Sequence, residues 1–536
     1  MTKEFSAEET DFVKPAIAIV QTGHPLFYQF EQKQKYELAL WHPPMYIYSL
    51  SVIAIFSTNE ILLRMPNFIL SIFTAVIVFL FCIRINETNG WKIGLIASTF
   101  FLINYYVFCS SNIIDIDVFS MFFIFLFFYL IISYFKTQKT FYAAMAAITF
   151  LFALSNRYPI AIFTFLTVGI CFFIKRETRK FSVKYFFIGL ISGLIFLSIW
   201  TFYSTIIEPG TFFSFIKHNA NLGYEQFSSL PLYLASFSLN ISQFIRLFTL
   251  PAVILFVMSA VYFIKKKYDL YGCILLAYCF TILLFFIIIP RPAFGYPRYF
   301  LTVMPAFFIL VAQFLYDNLS QKIGSRKIIF IAVISVISLL MLLIFNPNAT
   351  IYRNDGLIRA TNLPDFVFNV ICICPIFFAF FFKKDKRKLF LIMALVGSLL
   401  AYSIYFDIKT ATNDSKIKDV AEYLKQNTNN SSVIAPKAVG HYYGGKFYAN
   451  DYYRPDLSKL NLKFFIKYIL ESYNNPKMDS ELFWGKDIYG GIYVANYNEP
   501  DKNLYEAKYV VTNYQSSNIT AEKIIGNYYI YKIKDI

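Results

Sequence analysis

Four small clusters of polar residues interrupt an otherwise apolar chain, and their side chains are of types that catalyse or bind. The clusters are Glu8-Glu9, His42-Pro43-Pro44, Asp115-Ile116-Asp117 and Arg298-Tyr299. A carboxylate can act as a general base that removes a proton from an attacking hydroxyl or amine. An arginine can hold a phosphate through charge-assisted, bidentate hydrogen bonds. Because ionisable groups near hydrocarbon are costly, several of them on one membrane face indicate a site.

The acidic clusters also have structural interpretations, which the sequence leaves open. Glu8 and Glu9, with Asp11 close by, suit a general base whose neighbour orients a donor or binds a cation. They also suit a solvated terminal segment. Asp115 and Asp117 could cap the free N–H groups at the start of a helix. The alternative is that they bind a sugar hydroxyl, a divalent cation or the acceptor.

The basic residues and the histidine likewise have two interpretations each. Arg298 starts an apolar segment, and Arg157 interrupts another one. Both could bind a phosphate, or could extend from a helix end to the membrane surface. His42 could bind a metal or pair with the carboxylates, whereas beside Trp41 it could simply lie at the membrane interface.

The elements that must position these clusters are membrane helices. Of the 536 residues, 57% are hydrophobic, 20% are aromatic and only 15% are charged, which excludes an ordinary soluble globular chain. The net charge of +16 comes from Lys and Arg in short runs between apolar segments, so it indicates membrane topology and no nucleic-acid partner. The seven cysteines lie in or beside apolar segments, where we expect buried thiols and neither a disulfide framework nor a zinc site.

Segments of about 20 apolar residues can cross the hydrocarbon core of a bilayer. Lys and Arg concentrate in alternate connections, from Arg84 and Lys92 to the run 383–388, and these connections are predicted to be cytoplasmic. All four polar clusters then lie on the extracytoplasmic face of a multi-pass protein, expected in the plasma membrane of a prokaryote. The twelve predicted spans are 61–85, 91–109, 116–135, 141–155, 158–174, 185–207, 243–264, 268–289, 298–316, 328–345, 365–382 and 389–406.

Residues 1–60 lie outside by the same count, although no apolar segment precedes them. We expect an upstream span that this sequence does not include, rather than unaided translocation of the N-terminus. Residues 43–57 are apolar but short for a span, and counting them as one would invert every later basic loop. We therefore predict an interfacial helix there, within an extracytoplasmic region 1–60 that precedes a transmembrane domain 61–406.

The composition changes near residue 407, where Asn, Asp, Lys and Tyr replace Phe, Ile and Leu. We predict a small soluble, extracytoplasmic α/β domain over 407–536, with a helix over 415–426 and strands in SVIAPKA, KYVVTNY and NYYIYKIK. Two stretches that begin at Tyr443 and Tyr489 share a YGGx[FY]xAN pattern. They are interpreted as glycine turns that enter strands, with an aromatic platform for sugar rings as the alternative.

In order along the chain, the clusters resemble the motifs of the GT-C membrane glycosyltransferases. Specifically, they resemble those of the protein O-mannosyltransferase and aminoarabinose (lipid A) transferase group. Glu8-Glu9 is similar to the Asp-Glu pair of that group and precedes Gln21-Thr22-Gly23, which matches its Thr-Gly. His42-Pro43-Pro44-Met45-Tyr46 resembles its (His/Lys)-Pro-Pro-Leu-Tyr motif, and Leu63-Arg64-Met65-Pro66 resembles its Arg-Leu-Pro.

The resemblance continues to about residue 320. Asp115-Ile116-Asp117 is similar to the family's acidic motif in the second outer connection, and Asn156-Arg157-Tyr158-Pro159 takes the place of a Lys-Gly-Pro motif. The stretch 297–305 resembles an Arg-Tyr-Leu-Leu-Pro-x-x-Pro span. Each motif is short, but the ordered set is specific.

The resemblance implies a mostly α-helical GT-C bundle. The implied enzyme is an inverting hexosyl- or pentosyltransferase that moves a sugar from a polyprenyl phosphate to a protein, lipid or glycan acceptor of the cell envelope, as a mannosyltransferase does in protein glycosylation. The resemblance also implies that Glu8 is the general base, with Glu9 beside it. The family has Asp at the position of Glu8, and Lys where this chain has Arg157.

The remaining roles are also implied by the resemblance. Arg298 and Arg157 would bind the donor phosphate, whereas Asp115, Asp117 and His42 would bind donor, acceptor or a cation. The metal requirement is open, with a divalent cation as the candidate cofactor.

Two other interpretations stay open at this point. About twelve spans also suit a transporter or a lipid-carrier flippase, but such proteins usually have two related halves with helices interrupted near the midplane. We find no such repeat, and the polar residues lie at span ends. A catalytically inactive GT-C relative is the third interpretation, because Glu8 differs from the family's Asp.

Overall fold

The fold was described from a computed structural model. The described residues are 5, 7–27, 37–38, 44–174, 183–207, 244, 247–265, 270–288, 297–318, 350–353, 356–359, 371–372, 392–401, 416–428, 431–444, 447–449, 486–487, 493–494, 507–512, 520–526 and 528–532. This part of the chain is mostly helical, as predicted.

In the described residues the apolar region contains eleven α-helices up to residue 318 and a further helical segment, Ile392–Ala401, within the predicted span 389–406. Most of these helices overlap predicted spans. The eleven are α1 (Ala7–Thr22), α2 (Met45–Ala54), α3 (Glu60–Ile85), α4 (Gly90–Ile103), α5 (Tyr105–Ser111), α6 (Ile116–Thr137), α7 (Thr140–Ile174), α8 (Val183–Ile207), α9 (Leu250–Lys265), α10 (Leu270–Ile288) and α11 (Met304–Asn318). A 3-10 helix over Pro297–Val303 leads into α11.

Within the described ranges, three helical segments are long and apolar enough to cross a membrane by themselves: Glu60–Ile85, Ile116–Thr137 and Phe300–Asp317. Helices α4 and α5 together qualify as a fourth, bent by 66°. The bend lies at Asn104, whose side chain accepts hydrogen bonds that cap α5. The predicted spans 328–345 and 365–382 lie almost entirely outside the described residues, so the count of twelve stays a prediction.

Helix α7 is a helical hairpin rather than one straight rod. Arg157 has φ −146° and ψ 77°, outside the helical region. The rings of Phe150 and Phe165 lie with centroids 4.9 Å apart, although a straight helix would separate these residues by about 22 Å along its axis. The chain therefore folds back at Arg157, which agrees with the two predicted spans 141–155 and 158–174.

Helix α2 is too short to span a bilayer, since its ten residues extend for about 15 Å. One side of α2 is buried, including Tyr46 and Leu50, whereas Val52 is 54% exposed and the following Phe56 is 82% exposed. The exposed side is also apolar, so it could contact lipid, and the short length fits the predicted interfacial helix. Its depth in a membrane stays a prediction.

Helices α3 and α4 pack closely because glycines line their contact. A Cβ atom at Gly94 would lie 2.9 Å from the Phe79 carbonyl oxygen, and one at Gly90 would clash with the Cys82 carbonyl. Small residues allow membrane helices to approach closely. This hairpin therefore forms one wall of the main apolar core, to which α6, α7 and α9 to α11 also contribute.

The C-terminal residues form a small α/β unit. It contains two helices, α12 (Ile417–Thr428) and α13 (Lys437–Tyr443), and a five-stranded sheet. The strands are β5 (Val433–Ala435), β6 (Phe447–Ala449), β9 (Tyr509–Thr512), β10 (Lys523–Ile525) and β11 (Tyr528–Lys532), in the order β10-β11-β9-β5-β6. Strand β5 is parallel to its neighbours β6 and β9, whereas β11 is antiparallel to its neighbours β9 and β10. Whether the unit is a separate extracytoplasmic domain stays a prediction.

The predicted elements of this unit have clear physical causes. Ile417, Val420 and Leu424 recur at helical spacing and are buried against the sheet. The predicted strand SVIAPKA ends early because Pro436 precedes α13. Gly444, at φ 70°, ends α13 in the left-handed conformation, as the glycine-turn interpretation predicts for the first YGG stretch.

Short two-stranded hairpins complete the described structure. They are β1 (Leu26–Phe27) with β2 (Glu37–Leu38), β3 (Thr350–Arg353) with β4 (Gly356–Arg359), and β7 (Lys486–Asp487) with β8 (Tyr493–Val494).

Candidate functional site

Four of the polar residues predicted to share one face, Glu9, Asp115, Asp117 and Arg157, lie at one end of the helical bundle. This end combines α1, the start of α3, the start of α6 and the tip of the α7 hairpin. At the opposite end, Lys136 forms an exposed ion pair with Glu87 at 3.4 Å. Which end is extracytoplasmic stays a prediction.

Glu9 is held by a bidentate ion pair with Arg64 of α3. Arg64 Nε and Nη2 donate to the two carboxylate oxygens, each at 2.7 Å. The Ile114 N–H also donates to Glu9 Oε1 at 2.9 Å. The exposed fractions of the Arg64 and Glu9 side chains are only 4% and 1%. One carboxylate therefore ties α1 to α3 and to the segment before α6.

Asp117 makes a second bidentate pair, with Arg157 at the tip of the α7 hairpin. Arg157 Nε and Nη2 donate to the two carboxylate oxygens at 2.6 and 2.7 Å. Asp117 is fully buried, and its position in the first turn of α6 also suits the helix dipole. The turn at Arg157 is what brings its guanidinium to the start of α6.

Asp115 is the N-cap of α6. Its Oδ1 accepts a hydrogen bond from the Asp117 N–H at 2.9 Å, which is the capping geometry that the structural interpretation predicts. Asn67 lies one turn after Arg64 on α3, and its Nδ2 donates to the backbone oxygens of Ile113 at 2.7 Å and Asp115 at 2.9 Å. The acidic motif is therefore fixed by both side-chain and backbone contacts.

Aromatic side chains pack beside these charged groups. Tyr46, the last residue of the His-Pro-Pro-Met-Tyr motif, is fully buried between Phe12 and Phe119, with ring centroids 5.1 and 5.0 Å away. Its hydroxyl donates to Asn67 Oδ1 at 3.4 Å. Such apolar surroundings lower the local dielectric and strengthen the interactions of the charged groups.

For the other predicted site residues, the structure describes only part of each residue or none of it. Glu8 lies in the first turn of α1, beside Glu9, and Arg298 lies in the 3-10 helix before α11. The side chains of these two residues, and all of His42, lie outside the described part of the chain. In that described part, no group of three or more His, Cys, Asp or Glu residues is arranged to hold a metal ion.

Residues of the C-terminal unit also reach this end of the bundle. Tyr442 of α13 donates a hydrogen bond to Glu60 at 2.8 Å and accepts one from the Phe5 N–H at 2.8 Å. Beside it, the pKa of His441 is lowered to about 4, chiefly by burial and also by the Lys14 ammonium, with Glu60 opposing the shift.

Sequence reasoning did not assign roles to Arg64, Asn67 or Tyr442. The sequence could have indicated a role for Arg64, because an arginine near the start of an apolar helix needs a buried partner. Asn67 lies on the same face of α3 one turn later, which the helical period would have shown. Tyr442 carried no local signal, since 382 residues separate it from Glu60.

Comparison with solved structures identifies the fold. ArnT from Cupriavidus metallidurans in the apo state has a TM-score of 0.55 and 13% sequence identity, over 84% of this chain and 82% of ArnT. The structure of the same protein bound to undecaprenyl phosphate has a TM-score of 0.55 and 10% identity over the same shares. The chain has the fold of the GT-C membrane glycosyltransferases, which confirms that prediction.

The sequence comparisons extend this result little. No family model matches the chain. An uncharacterized protein of Aquifex aeolicus (strain VF5) is 27% identical over 322 residues, which are 59% of this chain and 61% of that protein. The chain thus spans about three-fifths of the length of this curated relative.

Proposed function

We propose that this chain is a membrane glycosyltransferase that moves a sugar from a polyprenyl phosphate to an acceptor on the extracytoplasmic face. The ArnT fold supports the class, and ArnT itself was solved with undecaprenyl phosphate bound. A fold alone does not define chemistry. The observation that carries the proposal is the buried cluster of two carboxylate–arginine pairs at one end of the bundle.

The proposed reaction is a single displacement with inversion at the anomeric carbon. Glu8 takes the proton from the acceptor hydroxyl or amine, whose oxygen or nitrogen then bonds to the anomeric carbon. The bond from that carbon to the phosphate oxygen breaks, and polyprenyl phosphate leaves with the electron pair. Arg298 stabilises the phosphate charge, as fixed cationic donors do in other transfer reactions.

The geometry refines the other proposed roles. Glu9 already accepts three hydrogen bonds, two of them from a guanidinium, so it positions α1 and leaves Glu8 as the base. Asp117 likewise holds Arg157 at the hairpin tip, from which Arg157 assists Arg298. Asp115 and His42 remain the proposed contacts to the acceptor or to a divalent cation.

The proposed organisation assigns residues 1–60 and 407–536 to the extracytoplasmic side, around a transmembrane domain 61–406. In this arrangement the C-terminal region covers the site or selects the acceptor. The transferred group is a hexose or a pentose, and the acceptor is a protein, lipid or glycan.

The test is a transfer assay on the full chain in lipid nanodiscs. Radiolabelled polyprenyl-phosphate hexoses and pentoses are supplied with cell-envelope membranes, and both labelled product and released polyprenyl phosphate are measured. We expect Glu8→Gln to reduce the rate by about 100-fold or more, because it removes the general base. Glu87→Gln, which changes an exposed carboxylate at the opposite end, should leave the rate unchanged.

Two outcomes would overturn the proposal or its site. Full activity in both Glu8→Gln and Asp115→Asn would show that the chemistry lies elsewhere. Lipid-carrier movement across proteoliposomes, without transfer of label from any donor, would favour the flippase interpretation instead.

A further inference from the structure

The C-terminal unit contacts the segment that carries the proposed base through the hydroxyl of Tyr442 and through ring contacts of His441 and Tyr442 with Phe5. Tyr442 Oη accepts from the Phe5 N–H at 2.8 Å and donates to Glu60 Oε1 at 2.8 Å. Lys418 of α12 forms an ion pair with the same Glu60 oxygen at 2.7 Å. We call Tyr442, Lys418, Phe5 and Glu60 the docking contact. It joins the C-terminal unit to the residues before α1 and to the first residue of α3.

The Phe5 ring continues this contact toward the buried ion pairs. It stacks on Tyr442 with centroids 6.3 Å apart and an interplanar angle of 13°. The Arg64 guanidinium carbon lies 5.5 Å from the centroid of the same ring. Arg64 in turn holds Glu9, so a continuous chain of contacts runs from Tyr442 to the acidic pair. Phe5 is only 2% exposed and is therefore part of the packing.

Glu8 lies between two anchors in the sequence. Glu9 fixes the chain on its C-terminal side through Arg64 and Ile114. Phe5 fixes it on the N-terminal side through Tyr442. Phe5 lies two residues before the first residue of α1. The hydrogen bond from its N–H to the Tyr442 hydroxyl therefore fixes the chain just ahead of the turn that contains Glu8.

We propose that Tyr442 is a positioning residue that sets the place of Glu8, so that docking of the C-terminal unit controls the transfer step. This inference rests on the proposed function for its catalytic part. Displacement of a reacting group by about 1 Å can reduce a rate by about 100-fold. Release of Phe5 would allow such a displacement at Glu8, without altering the arginines that would hold the donor phosphate.

The neighbouring tyrosine provides a matched control. Tyr443 Oη hydrogen-bonds to Thr428 Oγ1 at 2.7 Å and to the Ser431 carbonyl at 2.7 Å, both within the C-terminal unit. Tyr442→Phe and Tyr443→Phe each remove one hydroxyl from α13, but only the first removes a bond to Phe5. Both variants keep the aromatic ring and its packing.

We expect Tyr442→Phe to lower kcat about tenfold or more, with unchanged affinity for undecaprenyl phosphate measured by calorimetry in nanodiscs. Tyr443→Phe should keep kcat. Equal losses of kcat in the two variants would overturn the proposal, because they would indicate a general loss of stability in the C-terminal unit. A weaker affinity for undecaprenyl phosphate in Tyr442→Phe would also overturn it.

Hydrogen exchange separates this inference from the proposed function. In the full chain, amides 5–11 should exchange faster in Tyr442→Phe than in wild type, and Tyr443→Phe should match wild type. If hydrogen exchange at amides 5–11 and kcat were both unchanged in Tyr442→Phe, the positioning role would be wrong, but the proposed glycosyltransferase function would not be affected. If wild type transferred no sugar, the proposed function would fall, and exchange alone would decide whether Tyr442 holds this segment.

Discussion

Acid–base pairs at the two ends of the helical bundle differ in burial and geometry. At the site end, Glu9–Arg64 and Asp117–Arg157 are bidentate, with N–O distances of 2.6 to 2.7 Å and almost no exposure. At the opposite end, Lys136 and Glu87 make one contact of 3.4 Å, and the Glu87 side chain is 85% exposed. Of these three described pairs, the two at the site end are buried within the packing.

The difference shows what each pair can do. An exposed pair is solvated in either state and contributes little to stability. A buried pair loses its hydration on folding, so each charge requires its partner and removal of one partner is costly. The site-end pairs therefore hold α1, α3, α6 and the α7 hairpin in one arrangement, whereas the opposite end mainly carries the charge pattern of the basic loops.

The largest loss of stability is expected on substitution of Asp117. Replacement by alanine leaves the buried Arg157 charge without its carboxylate and should reduce the free energy of unfolding by about 3–5 kcal/mol. Unfolding by heat or SDS in detergent micelles measures the loss. The double variant Asp117→Ala with Arg157→Met should recover much of it, because no buried charge remains.

The matched control for this change is Glu87→Ala at the exposed end, which should have little effect. A similar loss of stability in Glu87→Ala and Asp117→Ala would contradict the distinction between the two ends.

A smaller effect is expected at Glu9. Glu9→Gln keeps the shape of the side chain and an acceptor for the Ile114 N–H, but it removes the charge opposite Arg64. Loss of a charge-assisted hydrogen bond costs about 1.5–3 kcal/mol, and the unfolding measurement should show a loss in this range. Since Arg64 also contacts the Phe5 ring, hydrogen exchange at amides 5–11 should rise as well. Wild-type stability in Glu9→Gln would mean that the pair is as weak as Lys136–Glu87.

The smallest effect should appear on mild acidification, at His441. Its pKa is about 4 in the folded protein and near 6.5 in an unfolded chain, because burial and Lys14 disfavour the charged ring. The unfolded state therefore binds the proton first as pH falls. Stability from this group is intact above pH 6.5, declines between pH 6.5 and 4, and levels off below that. From pH 7.5 to 6 we expect a loss of about 1 kcal/mol or less.

The control for the pH effect is His441→Gln, which should remove this part of the pH dependence of unfolding. An identical pH profile in wild type and His441→Gln would show that other groups are responsible.

Local sequence features predicted much of the fold. The apolar segments gave helix positions within a few residues at α3, α6 and α8, because hydrocarbon-length apolar runs leave a chain few alternatives. Residue type and position offered a helix cap as one of two interpretations of Asp115, and placed a break between two helices at Arg157. The strand predicted at SVIAPKA stopped early, since Pro436 began a helix that apolar periodicity did not reveal.

Composition and motif order indicate the membrane class, and residue types identify the charged groups that require partners. The partners themselves became known from the fold: Glu9 pairs with Arg64, Asp117 with Arg157, and Phe5 with Tyr442. These partners lie 55, 40 and 437 residues apart in the chain. Helical period and composition are local properties, whereas the choice of a buried partner depends on which helix ends the packed bundle brings together.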